Sequence, residues 1–388
     1  MKKTMVAYFI LKVLTAFSLP LFLIITYDLT SSAIYVGIVS FLLAFGDIVG
    51  NVYWYKMSRR KNVFLLSYLS FISLFLLLFN KISLVLISAY LFSFFNAAGY
   101  ISLLHSKFFR KKPKERLAKF EKFGGIAYVI GLALGFSIKL ISYFEIIPLI
   151  EIFALISILS LYKTIRREVE KEVSKGLIAI EDFIEKSPKG FSLLISTIVR
   201  SLTLFSFTFF SLRKPSKIKF HIPYILFFFA AGLLLPQIVT VIKEKNLGDI
   251  WVYFSYFLGS LFSLLGYQII QKTRNSKKIG VSSLFLRVFL FLSFFFLTIL
   301  SGIFLQISII VFKILQGFTW GVLLVWFNYL IIKRKKSELG INLSLRSFSS
   351  SLGNFFGGFL FEFNPLILSL VSSSLIVGSI VLLAKKSI

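Results

Sequence analysis

The chain has 388 residues, of which 57% are hydrophobic and 15% charged, and 44 Lys and Arg stand against 16 Asp and Glu. Soluble domains hold about 25% charged and about 45–50% apolar residues, so this balance excludes a soluble globular fold and fits an all-α integral membrane protein. The chain has no Cys and its only histidines are His105 and His221, which rules out disulfides, thiol chemistry and a Cys- or His-built metal centre.

Runs of about 20 mainly apolar residues mark membrane spans. In chain order they predict spans at 5–27, 33–55, 63–79, 83–105, 122–143, 145–163, 220–242, 250–271, 280–299, 302–332, 339–361 and 365–384. Met1-Lys2-Lys3 precedes the first run, but Lys12 interrupts it and no short apolar core with a cleavage site follows, so it reads as a span rather than a cleaved signal. The run at 302–332 is long enough to tilt or to extend beyond the membrane.

The net charge of +28 is concentrated in the connections. Lys56–Lys61, Lys107–Lys122, Lys163–Lys219, Lys272–Lys278, Lys333–Lys336 and Lys385-Lys386 are basic, whereas Asp28–Ser32, Asn80-Lys81 and Glu362–Asn364 are short and weakly charged. This alternation is the pattern that fixes orientation, with basic loops and both termini cytoplasmic, and it makes nucleic-acid binding the poorer explanation of the charge. A thirteenth apolar stretch at 191–212 is rejected as a span, because it would carry every later basic loop to the outside. It is expected to lie interfacially or as a re-entrant segment. Before it, Ile165, Val169, Val173, Leu177, Ile180 and Ile184 recur at helical spacing opposite a charged face, which predicts an amphipathic surface helix.

The two halves of the chain resemble one another. Gly50 and Gly266 lie 216 residues apart, each late in a span that ends in a basic loop. Arg110–Glu115 matches Lys333–Glu338 at an offset of 223, and the same offset aligns Gly135 with Gly358. The expected organisation is a six-helix bundle at 1–163, a cytoplasmic linker at 164–219 and a second six-helix bundle in the same orientation at 220–388. Parallel repeats of this kind are a transporter architecture with the substrate site between the halves.

At this point the sequence resembles the major facilitator superfamily. That family's loop between spans 2 and 3 has a Gly, an acidic residue four positions on, a second Gly seven positions on and a basic pair. Gly50, Arg59 and Arg60 fit it, whereas Trp54 and Met57 stand where the acidic residue and second Gly belong. Pro113-Lys114-Glu115-Arg116 resembles the family's Pro-x-Glu-Arg run at the start of span 5, and Leu117 departs from its following Gly. The resemblance implies a transporter in the cell membrane, with Gly50, Arg59, Arg60, Glu115 and Arg116 at the gating loops. The substituted Trp54 leaves the usual latch in question.

Glycines four apart at Gly46/Gly50, Gly131/Gly135, Gly317/Gly321 and Gly353/Gly357 allow helix backbones to approach closely. The resemblance implies that three of these pairs lie where the halves slide; ordinary packing inside a bundle explains them equally.

A charge at the centre of a span costs about 2.5–3.5 kcal/mol on insertion scales and is usually functional or paired. Lys12, Asp47, Glu151, Arg287, Lys313 and Arg346 are such charges. The resemblance implies that Lys12, Asp47, Lys313 and Arg346 face a central cavity, while Glu151 and Arg287 are structural or snorkel to the interface. Asn96, Trp320 and Asn354 could line the same cavity, joined by Tyr100, Gln316 and Asn328. The cations outnumber Asp47, which suits an anionic or polar organic solute. Asp47 has two readings: a proton-coupling carboxylate, or a permanent ion pair between helices.

The leading function is a secondary transporter of a small solute by alternating access, a monomer in the bilayer needing no cofactor. No Gly-x-x-x-x-Gly-Lys-Ser/Thr motif is present to drive it with ATP. An enzyme would need a nucleophile with its base or a metal cluster, and neither is visible. The remaining alternative is a transport-inactive receptor or scaffold of the same build.

Overall fold

The computed structural model describes residues 2–57, 63–104, 113–136, 145–157, 215–273, 276–334 and 339–385, and these are helical apart from short turns, with no strand among them. In order they form α1 (Lys2–Thr30), α2 (Ala33–Met57), α3 (Val63–Leu66), α4 (Leu69–Ile72) continuing into a 3₁₀ segment (Ser73–Phe79), α5 (Ile82–Leu104), α6 (Pro113–Leu134) and α7 (145–157). The second half has α8 (Pro215–Leu234), α9 (Gln237–Glu244), α10 (Asp249–Lys272), α11 (Ser276–Ile299), α12 (Gly302–Arg334), α13 (Leu339–Phe363) and α14 (Pro365–Lys385). With α3–α4 and its 3₁₀ extension as one rod and α8–α9 as another, the described residues form twelve rods, six in each half. The chain is a multi-pass membrane protein, and eight of the described helices are both long and apolar enough to cross a bilayer unaided.

The expected spans at 63–79 and 220–242 are not single straight helices. Ser67, Ser70 and Ser73 donate their hydroxyls to the carbonyls of Phe64, Ser67 and Ser70, three residues back, and the rod tightens to a 3₁₀ turn there. Ser73 and Ser88 then exchange hydroxyl-to-carbonyl bonds that hold this rod to α5. Pro236 separates α8 from α9 because it has no N–H to continue the ladder. The span expected at 122–143 begins nine residues earlier, at Pro113, a residue suited to a first helical turn. The long run at 302–332 is one uninterrupted helix of 33 residues. The segment 191–212 and the amphipathic stretch before it lie outside the described residues, as does most of the expected linker, although α8 already begins at Pro215.

Glycine contacts show the pseudo-repeat directly. A Cβ on Gly50 would meet the Phe94 carbonyl of α5, and one on Gly266 would meet the equivalent Phe318 carbonyl of α12. Gly131 faces the Val13 carbonyl of α1 just as Gly353 faces the Phe229 carbonyl of α8. Gly135 and Gly358, aligned by sequence, both face the opposite half: Gly135 packs on the Tyr253 ring and Gly358 on the Ala33 carbonyl. The four-apart glycines therefore serve close packing within each half, Gly135 excepted. The glycines that bring α2 and α13 together across the halves are Gly37 and Gly358.

Candidate functional site

Among the described residues, the halves are bonded to one another at the end of the bundle that has the α1–α2, α9–α10 and α13–α14 connections. Between α2 and α13, Asn354 donates to the Ser40 carbonyl at 3.0 Å and Ser351 to the Phe41 carbonyl at 3.1 Å. Glu362 caps the start of α2, accepting from the Ile34 N–H at 3.0 Å and from the Ser32 hydroxyl. Its carboxylate also complements the positive end of the α2 dipole. Lys243 bridges Asp28 of the first half at 2.5 Å and Asp249 of the second at 2.6 Å. On the opposite flank, Tyr253 of α10 donates to the Phe17 carbonyl of α1 at 2.7 Å, and Phe136 meets Phe257 edge to face.

Deeper along the same helices lies a charge cluster that both halves supply. Asp47 on α2 accepts from the Asn51 amide at 3.1 Å, and the cations acting on its carboxylate are Lys12 of α1 and Arg346 of α13. Asp47, Lys12 and Arg346 are all half-buried. Lys12 lies over the Tyr8 ring and Arg346 over the Phe228 ring, 5.1 Å from its centroid. Three of the four charges that the resemblance assigns to a central cavity therefore act on one another across the interface, and Lys313 is not among them.

The remaining candidates fall into other surroundings. Asn96 donates to the Thr15 hydroxyl at 3.1 Å and ties α5 to α1 within the first half. Asn354 is one of the bonds of the seal rather than a free cavity group. Trp320 edges against Phe228 at 5.7 Å, so it joins the wall behind Arg346. Lys313 is 2% exposed and lies 4.6 Å over the Tyr256 ring, inside the second half. Arg287 does not snorkel: it is 0% exposed and its guanidinium bonds Thr319 and the Gln316 carbonyl of α12.

At the loop after α2, Gly50 packs on the Phe94 carbonyl, and Trp54 donates its indole N–H to that same carbonyl at 2.7 Å. The residue in the acidic position thus pins α2 to α5 within one half and supplies no charge. Arg59 and Arg60 lie outside the described residues, and for Glu115 and Arg116 only the backbone, in the first turn of α6, is described. No group of three His, Asp or Glu suited to a metal occurs among the described residues.

The sequence did not point to Lys243, Asp28, Glu362 or Tyr253. The signal present was the meeting of acidic Asp28, Asp249 and Glu362 with Lys243 at connections on one end of the bundle.

The family model for the Major Facilitator Superfamily matches residues 4–358. The chain belongs to this superfamily. Among solved superfamily structures, a point mutant of the nucleoside transporter NupG is similar over 99% of both chains, at 13% identity and a TM-score of 0.67. The xylose transporter XylE from E. coli, in a partially occluded inward-open conformation, is similar over 100% of this chain and 99% of its own, at 12% identity and a TM-score of 0.59. Tetrameric PepTSo2 is similar over 99% of this chain and 97% of its own, at 10% identity and a TM-score of 0.63. These likenesses show a shared fold along the chain, in neighbours whose names indicate different solutes. A search of the curated proteins gives no match.

Proposed function

We propose that this chain is a secondary active transporter that moves a small polar or anionic organic solute across the cell membrane by alternating access. The observation that carries this reading is the charge cluster at the interface: Lys12 and Asp47 from one half face Arg346 from the other, below an end where the halves are sealed by hydrogen bonds and ion pairs. A cluster split between two bodies is disassembled when the bodies rock apart, so solute binding there is coupled to which end is open. The two cations against one carboxylate favour a solute with negative charge, and Trp320 and Phe228 offer it an aromatic wall. The neighbours called nucleoside and xylose transporters support a polar organic solute of modest size.

In this reading the bundles comprise residues 1–163 and 220–388, and the segment 164–219 links them on the cytoplasmic side, as do both termini. The sealed end then faces outward, and the solute site is reached from the cytoplasm. The transporter works as a monomer in the bilayer, without cofactor or catalytic residues, and a proton or another ion drives it.

One observation favours a second reading. Trp54 replaces the acidic residue of the gating motif and is bonded within its own half, as a transport-inactive scaffold would tolerate. Single cysteines introduced along α1, α5, α10 and α13 into this naturally Cys-free chain separate the two. In oriented proteoliposomes, positions that react alternately from each side establish alternating access. A reactivity pattern fixed to one side overturns it in favour of the scaffold.

A further inference from the structure

Arg287 of α11 is wholly buried in the second half. Its Nε donates to the Thr319 hydroxyl at 2.6 Å and one Nη to the Gln316 carbonyl at 2.6 Å, while the other Nη is buried with no hydrogen-bond partner. The Phe227, Phe291 and Trp320 rings surround the guanidinium at 5.6–5.7 Å. Rings satisfy part of a buried cation's need for negative potential, but they do not neutralise it.

A second cation shares this region. Lys313 precedes Gln316 by one turn of α12, is 2% exposed, and has Arg287 as the charge acting on it. Among the described residues neither cation has a carboxylate partner, the ion pairs found being those of Lys243. The Gln316 Oε1 is likewise buried and unbonded. Two like charges buried in one region repel, and an anion beside them relieves that repulsion.

Packing beside the two cations is looser than elsewhere between these helices. Most glycines of α10 and α12 have a backbone carbonyl pressed against them, but a Cβ on Gly259 would find its nearest heavy atom, Gln316 Oε1, 3.8 Å away, with Lys313 at 3.9 Å. The space in front of Gly259 is therefore bordered by the Gln316 amide and the Lys313 stem.

We propose that Arg287, Lys313 and Gln316 form an anion-binding subsite beside Gly259, which takes the oxyanion group of the transported solute, a carboxylate or a phosphate. Lys313 supplies a point charge, the unused Arg287 Nη supplies a directed N–H, and the Gln316 oxygen accepts from a hydroxyl on the same solute. This rests on the transporter reading and narrows its substrate class. Trp320, stacked on Arg287, joins the subsite to the wall behind Arg346.

The test uses the purified full chain in nanodiscs, with melting temperature followed against sodium phosphate, sodium acetate and sodium chloride at matched ionic strength. Phosphate or acetate is expected to raise the melting temperature in a saturable way that chloride does not, and Lys313→Gln to weaken that apparent affinity about tenfold. Should Lys313→Gln fail to fold, Gly259→Leu, which fills the space and keeps both cations, is expected to abolish the shift. A chloride effect equal to that of the oxyanions, or a folded variant that binds like the parent, overturns the subsite. So does stoichiometric release of an anion upon denaturing protein purified in oxyanion-free buffer, because the ion would then be resident and not part of a solute. None of these outcomes alters the cysteine reactivity pattern, so a failed subsite and a failed transporter reading are told apart.

Discussion

Lys243 of the second half lies 2.5 Å from Asp28 of the first and 2.6 Å from its own neighbour Asp249, with its side chain 15% exposed. Asp249 holds the ammonium in place, and in the proposed alternating-access cycle Asp28 is the partner that leaves when the halves separate at this end. An exposed pair contributes about 0.2–1 kcal/mol, and the partial burial of Lys243 places this one near the upper value.

Lys243→Gln is therefore expected to raise the population open at this end about fivefold. The measurement is the rate at which a membrane-impermeant maleimide labels Ser40→Cys, a buried position below the latch. Labelling in the parent should also quicken at high salt, since screening weakens the same pair. Unchanged rates in both comparisons would remove the latch from the account.

A second prediction concerns the backbone contact beneath that latch. A Cβ on Gly37 would lie 2.7 Å from the Asn354 carbonyl and 3.1 Å from the Gly358 nitrogen, all backbone that has no rotamer to escape into. Gly37→Ala is expected to push α2 from α13, at an overpacking cost of about 1–3 kcal/mol, and to speed labelling of Ser40→Cys. The control is Gly378→Ala in α14, whose Cβ would meet only the Leu226 side chain at 3.5 Å. That change should be neutral or slightly stabilising in a melting experiment, because Ala is the better helix former. Equal behaviour of the two variants would show that the α2–α13 approach is not tight.

The parts of this protein that could be read from its sequence are those set by lipid. Twelve rods, their order and the two-fold repeat follow from apolar run length and basic loops, and the offset that aligned Gly135 with Gly358 paired residues that occupy equivalent places between the halves. Helix interruptions were less legible, since the 3₁₀ turn after α4 depends on serine hydroxyls finding carbonyls three residues back, a choice that packing makes. Lys12, Asp47 and Arg346 could be singled out because a charge within a span needs a reason. Arg287 left two readings open, structural or snorkelling, and only the register of α11 on α12 turns it inward to Thr319. Asn354 looked like a cavity amide, but whether an amide faces a solute or the opposite backbone depends on a helix rotation that hydropathy does not specify. The latch residues sit at helix ends beside short connections, where sequence gives charge but not which ends meet.

The last prediction decides between the two roles open to Asp47. Its carboxylate accepts from Asn51 at 3.1 Å, and the cations acting on it are Lys12 and Arg346. If it is part of a permanent ion pair, Asp47→Asn leaves the cations uncompensated and lowers stability, and Arg346→Gln added to it costs less than the two changes apart, with a coupling of about 0.5–3 kcal/mol in a double-mutant cycle. Proton-gradient-driven uptake by proteoliposomes would then persist in Asp47→Asn, at a reduced rate. The opposite pattern is gradient-driven uptake lost while exchange of solute across the membrane continues, with no coupling to Arg346 in the cycle. It would make Asp47 the proton carrier, because a group that cannot release a proton still permits exchange but cannot draw on the gradient. The expected result is the first, since Lys12, Arg346 and the Asn51 amide all act on this one carboxylate.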